Sequence, residues 1–288
     1  MSSTPFVPLS ATAPGELVTD SVLRLTDAAL AYGSRTLWSG LDLDIAAGEF
    51  VAVLGANGSG KTSLIRVILG LQPLTAGRLE VSGRPPRRGS DDIGYVPQQR
   101  RADPLTPLRA RDVVGQGLDG HRWGIGLPSK ARRRRVLAAL QSVGAEAYAD
   151  MPIGLLSGGE QQRVRIAQAL VADPPLLLCD EPLLSLDLPS QRTVTALVDR
   201  RRRERDTAVL FVTHEVNPVL PYVDRVLYLA GGRFRIGTVD EVLNSATLSE
   251  LFGAPIEVVR SHGRILVAGI PEAGDHDHHD HSDDVVVV

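Results

Sequence analysis

Cysteine is nearly absent: Cys179 is the only one in 288 residues. No internal disulfide can form, and this usage fits a reducing compartment. A surplus of positive charge is also missing. The 31 Lys and Arg face 34 Asp and Glu, giving a net charge of −3, which argues against a generally basic nucleic-acid binder. No apolar run approaches the length of a membrane span, and no basic residue precedes Arg24. Neither a spanning helix nor a secretory leader is therefore expected. The expectation is a soluble chain, with any role at a membrane exercised through a partner. The rest of the composition, 43% hydrophobic and 23% charged, is ordinary for a globular protein.

What is present starts with residues 50–63. Phe50 to Leu54 is an apolar run too short for a helix and bounded by turn residues, so it reads as a buried strand. Leu64 to Leu69 has the apolar spacing of a helix packed on a sheet, and Gly70 can stop it. Between them lies Gly55-Ala56-Asn57-Gly58-Ser59-Gly60-Lys61-Thr62-Ser63, which contains the phosphate-loop pattern G-x-x-x-x-G-K-T. A triphosphate needs many converging donors and no side chain in the way. Glycines let the backbone aim successive N–H groups inward, and the helix start adds its dipole. Lys61 can reach the β- and γ-phosphates, and the Thr62 hydroxyl can ligate Mg²⁺. A glycine turn before an ordinary helix is the plain alternative; the strand before and helix after favour nucleotide binding.

Val22–Tyr32 and Trp38–Ile45 are strand-like and joined by a turn at Gly33-Ser34-Arg35. Tyr32 can stack on a flat base or fill a sheet face, and spacing alone favours the second. Gly77–Gly83 reads as a strand, and Ile93–Pro97 as a short one that delivers Gln98 and Gln99. Residues 103–155 change character and show two helical patterns. The clearer begins at Ser129, an N-cap after Pro128, lines one face with Val136, Leu137, Leu140 and Val143, and closes at Gly144. Arg132–Arg135 lie in it, and Arg200–Arg203 repeat the run. Four adjacent arginines suit a nucleic acid or a membrane surface, but more often form a solvated helix face. Residues 1–20, with Pro5, Pro8 and Pro14, read as a disordered tail.

Two further stretches carry chemistry. In Leu156–Arg163, Ser157 and Glu160 form a capping box. The helix it opens, expected to run through Leu170, presents a second potential phosphate site at its start, unless it is simply a well-capped helix. Leu176–Pro182 is a buried strand ending in two acids. Strand alternation points Asp180 and Glu181 apart, so one can hold the Mg²⁺ shell while the other faces a water attacking the γ-phosphate. A third buried strand, Ala208–Val212, ends at Thr213-His214, where a lone histidine is usually structural.

In their order, Gly55–Thr62, Gln98, Leu156–Arg163, Asp180-Glu181, Ser185-Leu186-Asp187 and His214 resemble the ATP-binding subunit of ATP-binding-cassette (ABC) transporters, over roughly residues 22–240. The phosphate loop alone is shared by many families; the LSGGE-type stretch followed by LLLCDEP, SLD and TH is specific. The resemblance implies an α/β fold: a P-loop NTPase core with a mainly parallel sheet, an antiparallel β subdomain and an inserted α-helical subdomain. The expected division is a disordered tail at 1–20, an ABC ATPase domain at 21–240 with its helical subdomain at about 103–160, a C-terminal extension at 241–270, and a His/Asp-rich flexible tail at 271–288.

The resemblance also implies roles. Two such domains stack head to tail as a homodimer around two ATP molecules. Lys61, Thr62 and the loop backbone would hold the phosphates, Asp180 would support Mg²⁺, and Glu181 would polarise the attacking water. His214 would contact the γ-phosphate, and Gln98 would reach the metal and report to the membrane subunit. Ser157, Gly158 and Gly159 would complete the opposite subunit's site, with Asp187 at the seam. Tyr32 matches the aromatic that stacks on adenine, which reverses the reading from spacing. Glu160, where glutamine is commoner, and an SLD stretch without the commoner leading alanine are small departures.

With one cassette and no span, the chain would work with integral membrane permease subunits, at the inner face of the cell membrane. Pro104-Leu105-Thr106 through Arg111–Val114, then Trp123, and Asn217–Val226 through Gly253-Ala254-Pro255, look like the metal-uptake group of bacterial importers, which moves zinc, manganese or iron. Such systems also include an extracytoplasmic metal-binding protein. Independently, His276, His278, His279 and His281 place four of the seven histidines in six residues, interleaved with aspartate. Imidazole and carboxylate suit Zn²⁺, Mn²⁺ and similar ions, although a solvated acidic tail is the plain alternative. Two rivals remain: an export ATPase, which shares every ATP-site residue, and a non-transport ABC ATPase acting on nucleic acid. The second is disfavoured by the lack of coiled-coil insertions or a second cassette.

Overall fold

The computed structural model describes residues 21–98, 102–103, 105–120 and 129–269. Two long strands, β1 (Ser21–Tyr32) and β2 (Arg35–Ala46), open the chain as an antiparallel hairpin. Tyr32 pairs directly with Arg35, so the turn is only Gly33-Ser34 and the expected third turn residue belongs to β2. Gly33 sits at φ 58°, the left-handed conformation that such a tight turn requires. β3 (Phe50–Gly55) then enters a second sheet, the phosphate loop follows, and α1 (Lys61–Ile68) leaves it. α1 ends at Ile68, just before Gly70 at φ 67°, and β4 (Ala76–Val81) returns to the free edge of β1 to complete an antiparallel sheet of order β2-β1-β4.

β5 (Ile93–Val96) leads into three helices, α2 (Ala110–Asp119), α3 (Lys130–Ser142) and α4 (Gly158–Leu170), which pack on one another before the chain re-enters the sheet at β6 (Leu176–Asp180). Ser129 caps α3 by accepting from Ala131 N at 3.2 Å. The buried stripe of α3 is Val136, Ala139, Leu140 and Val143. Leu137 is 45% exposed, against the sequence expectation. The stripe follows 3.6-residue spacing through Ala139 instead, and Leu137 falls one position outside it.

α5 (Leu188–Arg205), β7 (Ala208–Val212), β8 (Arg225–Ala230) and β9 (Arg233–Gly237) complete a six-stranded sheet of order β5-β6-β7-β3-β8-β9. All its neighbours are parallel except β8 and β9. A short α6 (Val239–Val242), α7 (Ser245–Phe252) and a hairpin of β10 (Ile256–Ser261) and β11 (Arg264–Gly269) end the described chain. Both faces of the six-stranded sheet are covered, which is why its strands are continuous apolar runs. Val51, Val53, Leu178 and Leu210 face α1 and the antiparallel sheet. The alternate residues Phe50, Leu54, Cys179 and Phe211 face the helices on the other side, with Phe50 and Phe211 stacked at 5.5 Å between centroids. The parallel topology brings the C-terminal ends of β3, β6 and β7 side by side.

Candidate functional site

Those three strand ends carry the phosphate loop, the acid pair and the histidine. Gly55, at φ 144°, packs so closely on β8 that a Cβ there would lie 2.2 Å from Leu229 O. Gly60, at φ 104°, turns into α1 with Trp38 against it. These positions need glycine because the backbone must turn in contact with its neighbours. Ser59 faces inward with a buried hydroxyl, whereas Asn57, Gly58 and Thr62 are exposed at the rim.

Lys61 is 5% exposed. Its Nζ donates to Gly55 O at 2.5 Å and Ala56 O at 3.1 Å, so the ammonium lies inside the curl of the loop. Burial pushes its pKa below the ordinary lysine value, while Glu181 and then Asp180 pull it back up. Asp180, 4% exposed at the end of β6, is pushed above the usual carboxylate range by burial and then by the neighbouring Glu181 charge. Tyr95 OH reaches toward Asp180 Oδ2 at 3.5 Å, and burial followed by the Asp180 charge pushes the phenol up to about 12.

Glu181 adopts φ 48°, a left-handed conformation rare for a residue with a side chain and typical of functional turns. Its backbone N–H still bonds Val212 O at 2.9 Å. Gln98 Nε2 donates to Glu181 Oε2 at 2.7 Å, and His214 Nε2 meets Glu181 Oε1. One cavity of about 390 Å³ is lined by Tyr32, Arg35, Leu37, Asn57, Gly58, Gly60, Lys61, Thr62, Ser63 and Glu181. Tyr32 is 48% exposed at its edge, its hydroxyl donating to Gln72 Oε1 at 2.5 Å and lying 3.4 Å from Ser63 Oγ.

The start of α4 lies elsewhere. Ser157 closes the capping box, its N–H donating to Glu160 Oε2 at 2.8 Å. These hydrogen bonds hold the Glu160 carboxyl below its ordinary range. A separate cavity there is lined by Ser157, Gly159, Glu160, Arg163, Ser190, Thr193 and Val194 and shares no residue with the first. Gly158 is the first residue of α4. Asp187 caps α5 through Ser190 N at 2.9 Å, and Ser190 lines this second cavity. Asp187 therefore sits beside the α4 start.

Sequence reasoning missed Arg35, whose Nη2 donates to Gly58 O at 3.1 Å and which lines the nucleotide-sized cavity. It also missed Gln161, which accepts from Ala102 N at 3.1 Å and donates to Leu156 O at 3.0 Å. Arg35 sits in no pattern that would single it out, and Gln161, although inside the Leu156–Arg163 stretch, is given no role there by the sequence pattern. Gln99, Pro104, Trp123, the residues 1–20 and the histidines His276, His278, His279 and His281 lie outside the described residues. Among the described residues no cluster of His, Cys, Asp and Glu is arranged to hold a metal by itself, and no helix is long and apolar enough to cross a membrane.

The donor set fits a Mg²⁺–triphosphate. A cradle too tight for a Cβ, a buried lysine inside it, a hydroxyl at the first turn of α1 and a buried carboxyl at the end of β6 match such a ligand in sign and in size. When bound, Mg²⁺ neutralises charge on the β- and γ-phosphates.

The family model for ABC transporters matches residues 38–184. A zinc import ATP-binding protein of Pseudomonas entomophila is 34% identical, with 93% of each chain covered. A manganese transport system ATP-binding protein of Bacillus subtilis is 30% identical over 87% of this chain and 99% of its own. Among solved structures, a chain of an ABC transporter in an inward-facing conformation superposes with a TM-score of 0.73 at 27% identity, covering 88% of this chain and 98% of that one. The phosphate loop, the acid pair and the histidine thus stand together in a chain that belongs to the ABC transporter family, as an ATP-binding subunit of the kind that hydrolyses ATP to power transport.

Proposed function

We propose that this chain energises import of a divalent transition metal, zinc or manganese, as the ATPase of a membrane complex. One observation carries the site reading: the phosphate cradle, Tyr32 and Glu181 line a single cavity, while the α4 start faces another. A chain with one complete cradle and a remote second anion-receptive helix start suits a head-to-tail homodimer, each copy completing the other's site. A dimeric ATP-binding cassette bound to ADP and phosphate, 29% identical with a TM-score of 0.63, supports this assembly.

In this reading Lys61, Thr62, Ser63 and the N–H groups of Gly55 to Gly60 hold the phosphates, and Tyr32 stacks on adenine. Asp180 and Thr62 hold the metal ion, with Gln98 reaching it. Glu181 takes the proton of the attacking water, oriented by His214. Ser157, Gly158 and Gly159 donate to the γ-phosphate of the opposite copy, and Asp187 lies at the seam. ATP shared across the interface favours the closed dimer, and hydrolysis withdraws that preference.

The partners are integral membrane permease subunits, served by an extracytoplasmic metal-binding protein, and the location is the cytoplasmic face of the membrane. Exposed Leu108, Met151 and Leu155 lie on two segments joined where Ile153 N bonds Leu108 O and Ala110 N bonds Met151 O; they suit a permease contact. Metal as cargo rests on likeness along nearly the whole chain to proteins named for zinc and manganese transport. The segment His276–His281 binds Zn²⁺ or Mn²⁺ as a buffer or sensor. The deciding experiment measures growth and metal content of a strain lacking this protein under chelation, with zinc, manganese or iron restored singly. Rescue of a deficit by one metal identifies the cargo and the direction. Normal content of all three overturns metal import and favours export.

A further inference from the structure

Asn217 has no part in the chemistry above, yet its side-chain amide is engaged on both sides by one residue near the end of the described chain. Nδ2 donates to Ile265 O at 2.9 Å, and Oδ1 accepts from Ile265 N at 2.8 Å. A side chain here makes the two-bond exchange that strands make with their backbones. Ile265 is 1% exposed, and with Val267 it is buried in the same core as Val216 and Val219. The β10–β11 hairpin is anchored on its other side as well. Ser249 of α7 accepts from Ile256 N at 2.9 Å and Ser245 accepts from Val258 N at 2.9 Å.

His214 lies three residues before Asn217. The other flank of His214 is also tied down. Thr213 N bonds Val53 O at 3.1 Å, on the strand that runs into the phosphate loop, and Thr213 Oγ1 accepts from Glu215 N at 3.2 Å. Val216, between His214 and Asn217, is fully buried. The loop is thus clamped at both ends, with His214 between the clamps and its Nε2 turned to Glu181. The imidazole itself is 40% exposed, so its aim depends on the backbone beneath it. Groups that act on a reacting phosphate must be held to within about 0.5 Å.

We propose that Asn217 is a positioning residue for ATP hydrolysis: by tying the loop of His214 to the β10–β11 hairpin, it fixes the approach of His214 to Glu181 and makes the C-terminal hairpin a working part of the catalytic site. This rests on the roles given to His214 and Glu181 under the proposed function.

The test uses the full chain, with single-turnover ATP hydrolysis, titration with a fluorescent ATP analogue, and thermal melting. Asn217→Ala lowers the hydrolysis rate roughly tenfold while leaving analogue affinity unchanged. Asn217→Asp keeps the acceptor for Ile265 N–H but sets a carboxylate oxygen against Ile265 C=O; it is equally slow, and it carries the same test should the alanine variant not fold. In a His214→Ala background, Asn217→Ala produces no further loss, because the two act through one group. Additive losses overturn the inference and leave the His214 role standing. A wild-type rate in both Asn217 variants does the same. A His214→Ala chain as fast as wild type removes the role of His214 and the inference with it.

Discussion

Gln98 and Glu181 meet side chain to side chain, with Gln98 Nε2 donating to Glu181 Oε2 at 2.7 Å. His214 Nε2 takes the other carboxylate oxygen. Both oxygens of the residue assigned as base are therefore engaged by donors from the ends of β5 and β7, the two strands that flank β6. The carboxylate is oriented by these two contacts, and each oxygen keeps a second lone pair that can accept from a water. Because Gln98 follows β5 and precedes the helices, a shift of that segment would change how the carboxylate is oriented.

Glu181→Gln keeps the shape and removes the base. The variant is expected to bind ATP, to persist as a closed dimer in gel filtration with ATP, and to release phosphate at least about 10²-fold more slowly. A wild-type rate of phosphate release would overturn the assignment.

Asp180 is a buried carboxyl at the end of β6. Its pKa is raised, first by burial and then by Glu181, so between the ordinary carboxylate pKa and that raised value the folded chain binds more protons than the unfolded one. Stability of the nucleotide-free chain therefore falls as pH climbs through that window and is level above it. Asp180→Asn removes the penalty. The variant is expected to melt about 2–4 °C higher than wild type near neutral pH in the absence of nucleotide, while Mg²⁺-dependent hydrolysis is lost. Calorimetry and phosphate release on the same sample check both halves; a lower melting temperature would show that the charge is satisfied within the fold.

Tyr32 is held by its hydroxyl to Gln72 and Ser63, leaving its ring at the cavity edge. If it stacks on adenine, Tyr32→Ala weakens ATP binding roughly tenfold, and saturating ATP restores the rate. Tyr32→Phe keeps the face and loses only the tether, with a change of about twofold. Equal affinities for all three chains, by titration, would return the residue to a packing role.

Much of the site was legible because its chemistry is local. A glycine loop between an apolar run and a helix fixes backbone donors within eight residues, from Gly55 to Thr62, and the acid pair marks the end of a strand by itself. The α3 stripe was legible only in outline: Leu137 satisfies apolarity but not the helical angle, and Ala139 takes its place in the core. Arg35, Gln161 and Asn217 were not legible. Each acts through a side-chain bond to distant backbone; Asn217 and Ile265 are 48 residues apart. Such a bond leaves no periodic trace in either segment.

The arginine runs were ambiguous in sequence, and the fold separates them. Arg133, Arg134 and Arg135 are exposed on α3. On α5, Arg202 is only 11% exposed at its side chain, as is Asp199 at 10%, and the two pair at 3.1 Å. Arg202 also meets Asp224, whose Oδ2 accepts from Phe50 N at 2.8 Å, and donates to Gly48 O at 3.2 Å. It thereby ties α5 to the entrance of the strand that carries the phosphate loop. Removing one partner of a nearly buried pair leaves the other charge in low dielectric, although Arg203 partly compensates by pairing with Asp199 at 3.0 Å. Arg202→Met is therefore expected to cost about 2 kcal/mol of stability, read as a lower urea midpoint with an unchanged slope. Replacing Arg133–Arg135 with glutamine should cost almost nothing, because those charges already face water. If instead the runs served nucleic acid, the exposed triplet would matter: wild-type chain would be retained on DNA at low salt, with affinity falling steeply as salt rises, and the glutamine variant would lose that retention. A structural role for Arg202 and a solvated one for the α3 triplet require that neither chain shows it.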